Sequence, residues 1–426
     1  MFKVLVIAYY FPPLGLSGVQ RTLKFTKYFK DFNWEATVVT TGKIGYFAYD
    51  DLLLKEAKDA GITIVRTESF DFNSILKKKG QVMMPSNWLM KFLGRINKTL
   101  FIPDNKIFWS RKAAKISKKI LTESKYDAIY ISVPPFSAIE PIVKLKSKFD
   151  IPIFVDYRDS WLSNQFKFYP TPYHKYRHKK IEDKVLRKVD RIIVVNRIIK
   201  ENLLKSYQFL KFNDIDIIPH GYDEEDFINA IEYPKENNKM VITYSGIFYE
   251  DISPKYFLKA FKQLSLENPD VASNIELQFI GHFKKENKKL VKKYKLESNV
   301  REIGYITHKE VIRRLISSDI LWLMLPNKKK MNIVTPGKLF EYFGARKPII
   351  ASLPDGIAKI ASDEYSAAYI TKPNDVNEIK DTIIQVHEHY LSNNLPSVNE
   401  EYVNSLKRKT QVEQLIKIFQ FFLKTE

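Results

Sequence analysis

Residues 335–351 hold the densest chemistry in the chain: Thr335, Pro336, Gly337, Lys338 and Glu341 lie on one short run between two apolar strands. Thr335 is a candidate helix cap, and Pro336 suits the first helical position, where a backbone N–H would go unused. Gly337 leaves the helix mouth open, so free amides and the positive end of the dipole face an anion, and Lys338 adds a full charge there. Glu341 follows Lys338 at i+3 on the same face, where it can accept hydrogen bonds from sugar hydroxyls. The combination points to a nucleoside diphosphate. An ordinary capped helix with a surface Lys and Glu is the competing reading, of equal weight when the stretch stands alone.

Such a helix needs a scaffold. Short Val- and Ile-rich strands alternate with helical segments along the whole chain, the pattern of parallel sheets covered on both faces by crossover helices. The expected fold is α/β, with two Rossmann-like doubly wound domains facing across a cleft. Strands are expected near 3–8, 36–40, 62–65, 127–131, 152–156 and 191–195, and a second series near 240–245, 275–280, 319–325 and 347–351. Asp216 to Asp223 reads as a further strand ending in a turn, with the hinge just after it. The first domain is expected over 1–230 and the second over 231–404, with an amphipathic C-terminal helix, 405–426, available to rejoin the first. Ligands of open parallel sheets bind at the carboxyl ends of strands, so the site is expected between the domains.

Composition narrows the class. The 426 residues are too many for one typical core, and 45% hydrophobic with 14% aromatic residues excludes disorder. With no cysteine, disulfides, thiolate metal sites and cysteine nucleophiles are excluded. The first strand runs directly into Pro12 and Pro13, without a signal peptide's length or cleavage site, and no apolar stretch is long enough to cross a bilayer. A cytoplasmic protein is expected, either free or peripheral on the inner face of the membrane. The net charge of +20 calls for an anionic membrane surface, nucleic acid or a solvated Lys-rich exterior.

Four stretches carry a family resemblance: Tyr10 to Arg21, with Gly15, Ser17, Gly18 and Arg21; Ser132 to Ser137, with its paired prolines; Asp156 to Trp161; and Pro336 to Tyr342. In order and spacing they resemble the GT-B glycosyltransferases, similar to the family 4 type that builds bacterial polysaccharides and glycolipids. The resemblance implies a donor site in the second domain, formed by Gly246, Lys255, Thr335, Gly337, Lys338 and Glu341, and an acceptor and phosphate loop at Gly15, Ser17, Gly18 and Arg21. It also implies transfer of a sugar from a nucleotide sugar, UDP by family frequency, to a glycan or lipid-linked acceptor. The chain departs from the family where a first glutamate would stand eight positions before Glu341, at Ile333, and where Ile247 replaces an arginine after Gly246.

Asp159, Arg158 and Lys338 are the candidate catalytic residues. Asp156, Arg158 and Asp159 directly follow an apolar strand, so they are either a strand-end catalytic cluster or a buried structural Asp–Arg pair. If Asp159 serves as base, inversion follows; if no carboxylate reaches the acceptor, a front-face retaining displacement does, and the resemblance leans to retention. No cofactor and no metal is expected: His174 and His178, though four apart, sit among Lys175, Arg177, Lys179 and Lys180. His220 is expected to be structural. The segment Lys77 to Arg95 interleaves cations with apolar groups and is a candidate for contact with anionic lipid, against a helix packed on the first domain. The lysines from Lys284 to Lys295 read as a solvated face. A nucleotide-sugar epimerase or a glycan phosphorylase is the alternative on the same fold. A nucleic-acid-binding protein is the remote one, with no motif to support it.

Overall fold

The computed structural model describes residues 1–46, 48–68, 87–164, 168–248 and 251–423. The chain divides into two compact units, one formed by Met1–His220 and the segment from Arg408 on, the other by Gly221–Lys407. The division falls at His220 rather than at 230.

The first unit holds seven parallel strands: β1 (Phe2–Ile7), β2 (Trp34–Thr41), β3 (Thr63–Thr67), β4 (Ala128–Val133), β5 (Ile153–Tyr157), β6 (Arg191–Val194) and β7 (Ile215–Ile217). Their order is β3-β2-β1-β4-β5-β6-β7. The winding reverses between β1 and β4, which are hydrogen-bonded from Val4 with Ala128 to Ile7 with Ile131. β1 from Val4 to Ile7 and the whole of β4 are buried because helices cover both faces. The Gly15–Gly18 and Pro134–Pro135 loops therefore leave the sheet side by side at its switch point, where such sheets bind ligands.

The second unit holds β8 (Met240–Ser245), β9 (Ile275–Ile280), β10 (Val300–Gly304), β11 (Ile320–Met324), β12 (Ile349–Ser352) and β13 (Ala368–Thr371), ordered β10-β9-β8-β11-β12-β13. Its switch point lies between β8 and β11, and the helix Gly337–Ala345 follows β11 through a short 3₁₀ turn at Met331–Ile333. β10 and β13 are additions to the strands expected from sequence. Both are edges; β10 carries Arg301 and Glu302, which blur the apolar signal of a strand.

The expected C-terminal helix is present at Arg408–Leu423 and belongs to the first unit, preceded by a short helix, Glu400–Ser405, in the second. Val403 and Leu406, in and just after the helix Glu400–Ser405, join the core of the second unit. The helix Arg408–Leu423 instead buries Val412, Leu415, Ile416 and Phe419 in the first, with the Phe419 ring 4.5 Å from Phe154 and 5.3 Å from Trp34. Among the described residues, no helix is long and apolar enough to cross a membrane.

Candidate active site

In the second unit the helix Gly337–Ala345 is tied to the end of β8. Tyr342 Oη accepts from the Ser245 amide at 2.8 Å. One turn earlier, Lys338 Nζ donates to Tyr244 Oη at 2.7 Å and lies 4.0 Å from the centre of the Tyr244 ring. Tyr244 is itself fixed by stacking on Phe248 at 4.2 Å and packing on Trp322 at 5.2 Å. Gly246 completes the arrangement: a Cβ there would stand 2.5 Å from Lys338 Nζ, and its φ of +130° is one that side chains rarely adopt. The ammonium thus rests against bare backbone at the carboxyl end of β8.

Burial pushes the Lys338 ammonium down to about 7, with Glu341 pulling the other way. A lysine in this state gains its charge when an anion arrives. Glu341 is held in turn by His308, whose Nε2 lies 3.2 Å from Glu341 Oε1 and whose Nδ1 lies 3.9 Å from Asp226 Oδ2. His308 opens the helix His308–Ile316, capped by Thr307. Sequence reasoning placed Tyr342 in the Pro336–Tyr342 run without giving it a role, and it missed Tyr244 and His308. Those two sit in no spacing pattern, and only folding brings them to Lys338 and Glu341.

The expected Thr335 cap is corrected. The helix begins at Gly337 with Pro336 in the cap position, extended at ψ 134°, and no side chain caps it. Proline without an N–H serves here as a rigid lead-in, and the Leu339 amide closes the first turn on the Pro336 carbonyl at 3.0 Å. Lys255 opens the helix Lys255–Glu267 and is exposed, with its Nζ 5.4 Å from the centre of the Tyr256 ring.

In the first unit, Arg21 and Asp156 form a buried two-point ion pair, with Arg21 Nε 2.8 Å and Nη2 2.9 Å from the carboxylate. Arg21 also donates to the carbonyls of Ile218 and Pro219. Most of its donors are spent on protein, so Arg21 fastens the first helix to β5 and to the chain leaving β7. Of the two readings offered for the Asp156 cluster, the structural pair describes Asp156, with Arg21 rather than Arg158 as partner.

Arg158 is 9% exposed and serves the loops: it donates to the carbonyls of Gly18, of Pro134 at 2.9 Å and of Val133 at 3.4 Å. It ties the two switch-point loops together. Asp159 differs. Among the described residues no hydrogen bond or ion pair holds its carboxylate. Desolvation pushes its pKa up, and the Arg158 guanidinium pulls it down.

The turn before the helix Ser17–Tyr28 carries its positive φ on Leu16, at 72° with ψ 165°, and not on Gly15 or Gly18. A non-glycine residue in that region costs about 1–3 kcal/mol and persists only where the surroundings fix it. Here Gly15 is held by the Ala48 carbonyl at 2.9 Å and Gly18 by Arg158. The Ser17 side chain and Lys77 to Ser86 lie outside the described residues. His220 is kept neutral: burial and then Arg21, Arg408 and Arg158 push its pKa well below the usual value.

Comparison with known families decides the class. Residues 88–226 match the Glycosyltransferase Family 4 description, and residues 226–400 match Glycosyl transferases group 1. The chain is a GT-B glycosyltransferase of the family 4 type. No curated protein matches its sequence significantly. Among solved structures, this glycosyltransferase is similar to one from Rickettsia africae at 15% identity and TM-score 0.67, covering 100% of this chain and 99% of that one. It is also similar to the sucrose-phosphate synthase of Thermosynechococcus elongatus, at 13% identity and TM-score 0.65 with 100% of both chains covered. A third likeness is to a point variant of S. aureus TarM in complex with Fondaparinux, alpha-GlcNAc-glycerol and UDP, at 11% identity and TM-score 0.60, covering 98% of this chain and 100% of that one. At such identities the likeness establishes the fold. Two parallel sheets flanked by helices are what the sequence pattern called for.

Proposed function

We propose that this glycosyltransferase moves a sugar from a nucleoside-diphosphate sugar, with UDP as the expected nucleotide, to a glycan or lipid-linked acceptor at the membrane periphery. The observation that carries the reading is Lys338 Nζ resting on Tyr244 and the bare backbone of Gly246, one helical turn from Glu341. A pyrophosphate at the mouth of the helix Gly337–Ala345 would meet amides and a lysine whose charge it restores, while Glu341 accepts from the ribose hydroxyls. The bound UDP in the TarM structure supports this choice of nucleotide.

In the proposed reaction the anomeric carbon–oxygen bond to the diphosphate breaks and the acceptor oxygen bonds to that carbon. Lys338 and the helix mouth stabilise the departing charge. The acceptor proton goes to a leaving phosphate oxygen, which gives retention without a protein base; Asp159 orients the acceptor hydroxyl, and Arg158 holds the loops that carry it. The chemistry calls for no metal, since lysine and amides supply the positive charge. Activity is therefore expected to survive EDTA.

The test is a thermal-shift screen of nucleoside diphosphates and nucleotide sugars, followed by product analysis with and without acceptor. Saturable binding of one nucleotide sugar, weakened in both Lys338→Ala and Glu341→Ala, is expected. Wild-type affinity in both folded variants overturns the donor site. Conversion of the donor without acceptor would make the protein an epimerase.

A further inference from the structure

Two helices of the first unit expose large apolar side chains beside exposed cations. The helix Asn87–Leu100 presents Phe92, Ile96 and Leu100 at 49%, 41% and 69% exposure. The helix Pro172–Leu186 presents Tyr173 and Tyr176 at 61% and 59%, with Phe168 at 44% just ahead of it. These segments are distant in sequence, and folding joins them. His174 Nε2 donates to the Thr99 carbonyl at 3.1 Å while Nδ1 faces Thr171 Oγ1 at 2.8 Å, and the Arg95 guanidinium lies 5.5 Å from the centre of the Phe168 ring.

Single exposed apolar residues are ordinary; a cluster of them on one surface is not. The charges around this cluster select its partner. No Asp or Glu occurs from residue 87 to 103 or from 160 to 181, while Arg95, Lys175, Arg177, Lys179 and Lys180 are all exposed. A neutral apolar partner would leave these cations unpaired, and a polyanion without an apolar phase would leave Leu100, Ile96 and Phe92 in water. An anionic bilayer answers both, with phosphates for the cations and a headgroup–acyl boundary for the rings and aliphatic ends.

We infer that the surface formed by Asn87–Leu100 and the first half of Pro172–Leu186 docks this protein on an anionic lipid bilayer. The helix Pro172–Leu186 thereby gains a role that its histidine spacing did not suggest. The inference deepens the proposed transfer to a lipid-linked acceptor and rests on that reading for its purpose, but the docking itself requires neither donor nor acceptor.

The experiment is flotation of the full chain with vesicles of phosphatidylcholine alone and of phosphatidylcholine with phosphatidylglycerol. Binding to the anionic vesicles only, weakened by salt, is expected. Tyr173→Ser with Tyr176→Ser, and separately Lys175→Glu with Lys179→Glu, should each lower that binding by about tenfold or more. Lys288→Glu with Lys292→Glu, on the lysine-rich helix Lys285–Tyr294 of the second unit, should leave it unchanged. Equal binding to neutral vesicles, no binding, or equal loss in the Lys288 and Lys292 variant overturns the inference. So does tighter binding of a single-stranded oligonucleotide sensitive to the same Lys175 and Lys179 changes. Nucleotide-induced thermal shifts separate the two readings: the docking variants should keep them, and their absence in a wild-type protein that still floats would strike the donor site alone.

Discussion

His308 Nε2 lies 3.2 Å from Glu341 Oε1, so the imidazole holds one oxygen of the Glu341 carboxylate. The two residues come from different crossover helices, His308–Ile316 and Gly337–Ala345. An imidazole N–H donating to one oxygen fixes the plane of the carboxylate, so in the proposed donor site His308 would act through Glu341 as a positioning residue.

His308→Ala should therefore cut the preference for a ribonucleoside diphosphate over its 2′-deoxy analogue by about tenfold, the worth of one hydrogen bond to a charged group. His308→Gln, which keeps a donor, should restore most of it. Competition titrations with both nucleotides give the ratio. If Glu341→Gln abolishes the preference and His308→Ala does not, His308 has no positioning role; if neither moves it, Glu341 does not hold the ribose.

Lys338 sets a pH dependence. In the ligand-free protein its ammonium titrates at about 7, against 10.5 for an ordinary lysine. A bound diphosphate favours the charged form, so binding above that pH takes up a proton, and affinity should fall by up to about tenfold per pH unit as pH rises. The effect on stability has the opposite sign. Between about 7 and 10.5 the unfolded chain binds the extra proton, so this group makes the ligand-free fold more stable as pH rises through that window. Titration calorimetry in buffers of different ionisation enthalpy measures the proton. Lys338→Met should bind weakly, with no proton uptake.

The Arg21–Asp156 pair is buried on both sides, at 1% and 0% side-chain exposure. Arg21→Met strands a carboxylate and should cost about 3–5 kcal/mol, whereas Arg21→Met with Asp156→Leu should cost less than the single change. Urea midpoints of the first unit's transition, with nucleotide binding by the second as a control, decide it. A double variant as unstable as the sum of the singles would refute the pairing argument.

Ending the chain after Lys407 removes Val412, Leu415, Ile416 and Phe419 from the first core. Each buried side chain of that size is worth about 1.5–3 kcal/mol, so the first unit should lose its cooperative fold. Amide exchange should speed up in β1 and β4 and stay slow in β8 and β11. Unchanged protection in β1 would refute the docking of this helix.

Much was legible in the order of residues alone. Apolar runs such as Val4–Ile7 and Ala128–Ile131 mark parallel strands because both faces must be covered, and the run from Pro336 to Tyr342 marks a helix mouth with Lys338 and Glu341 on one face. Local spacing fixes such features, since period and handedness are properties of a few consecutive residues. Tertiary structure decided the partners. Asp156 pairs with Arg21, 135 positions away, rather than with its neighbour Arg158. Lys338 finds Tyr244 and Glu341 finds His308, while the tail divides between two cores after Leu406. Crossover connections bring residues remote in sequence to the same strand end, and no local pattern records which of several compatible charges will meet there.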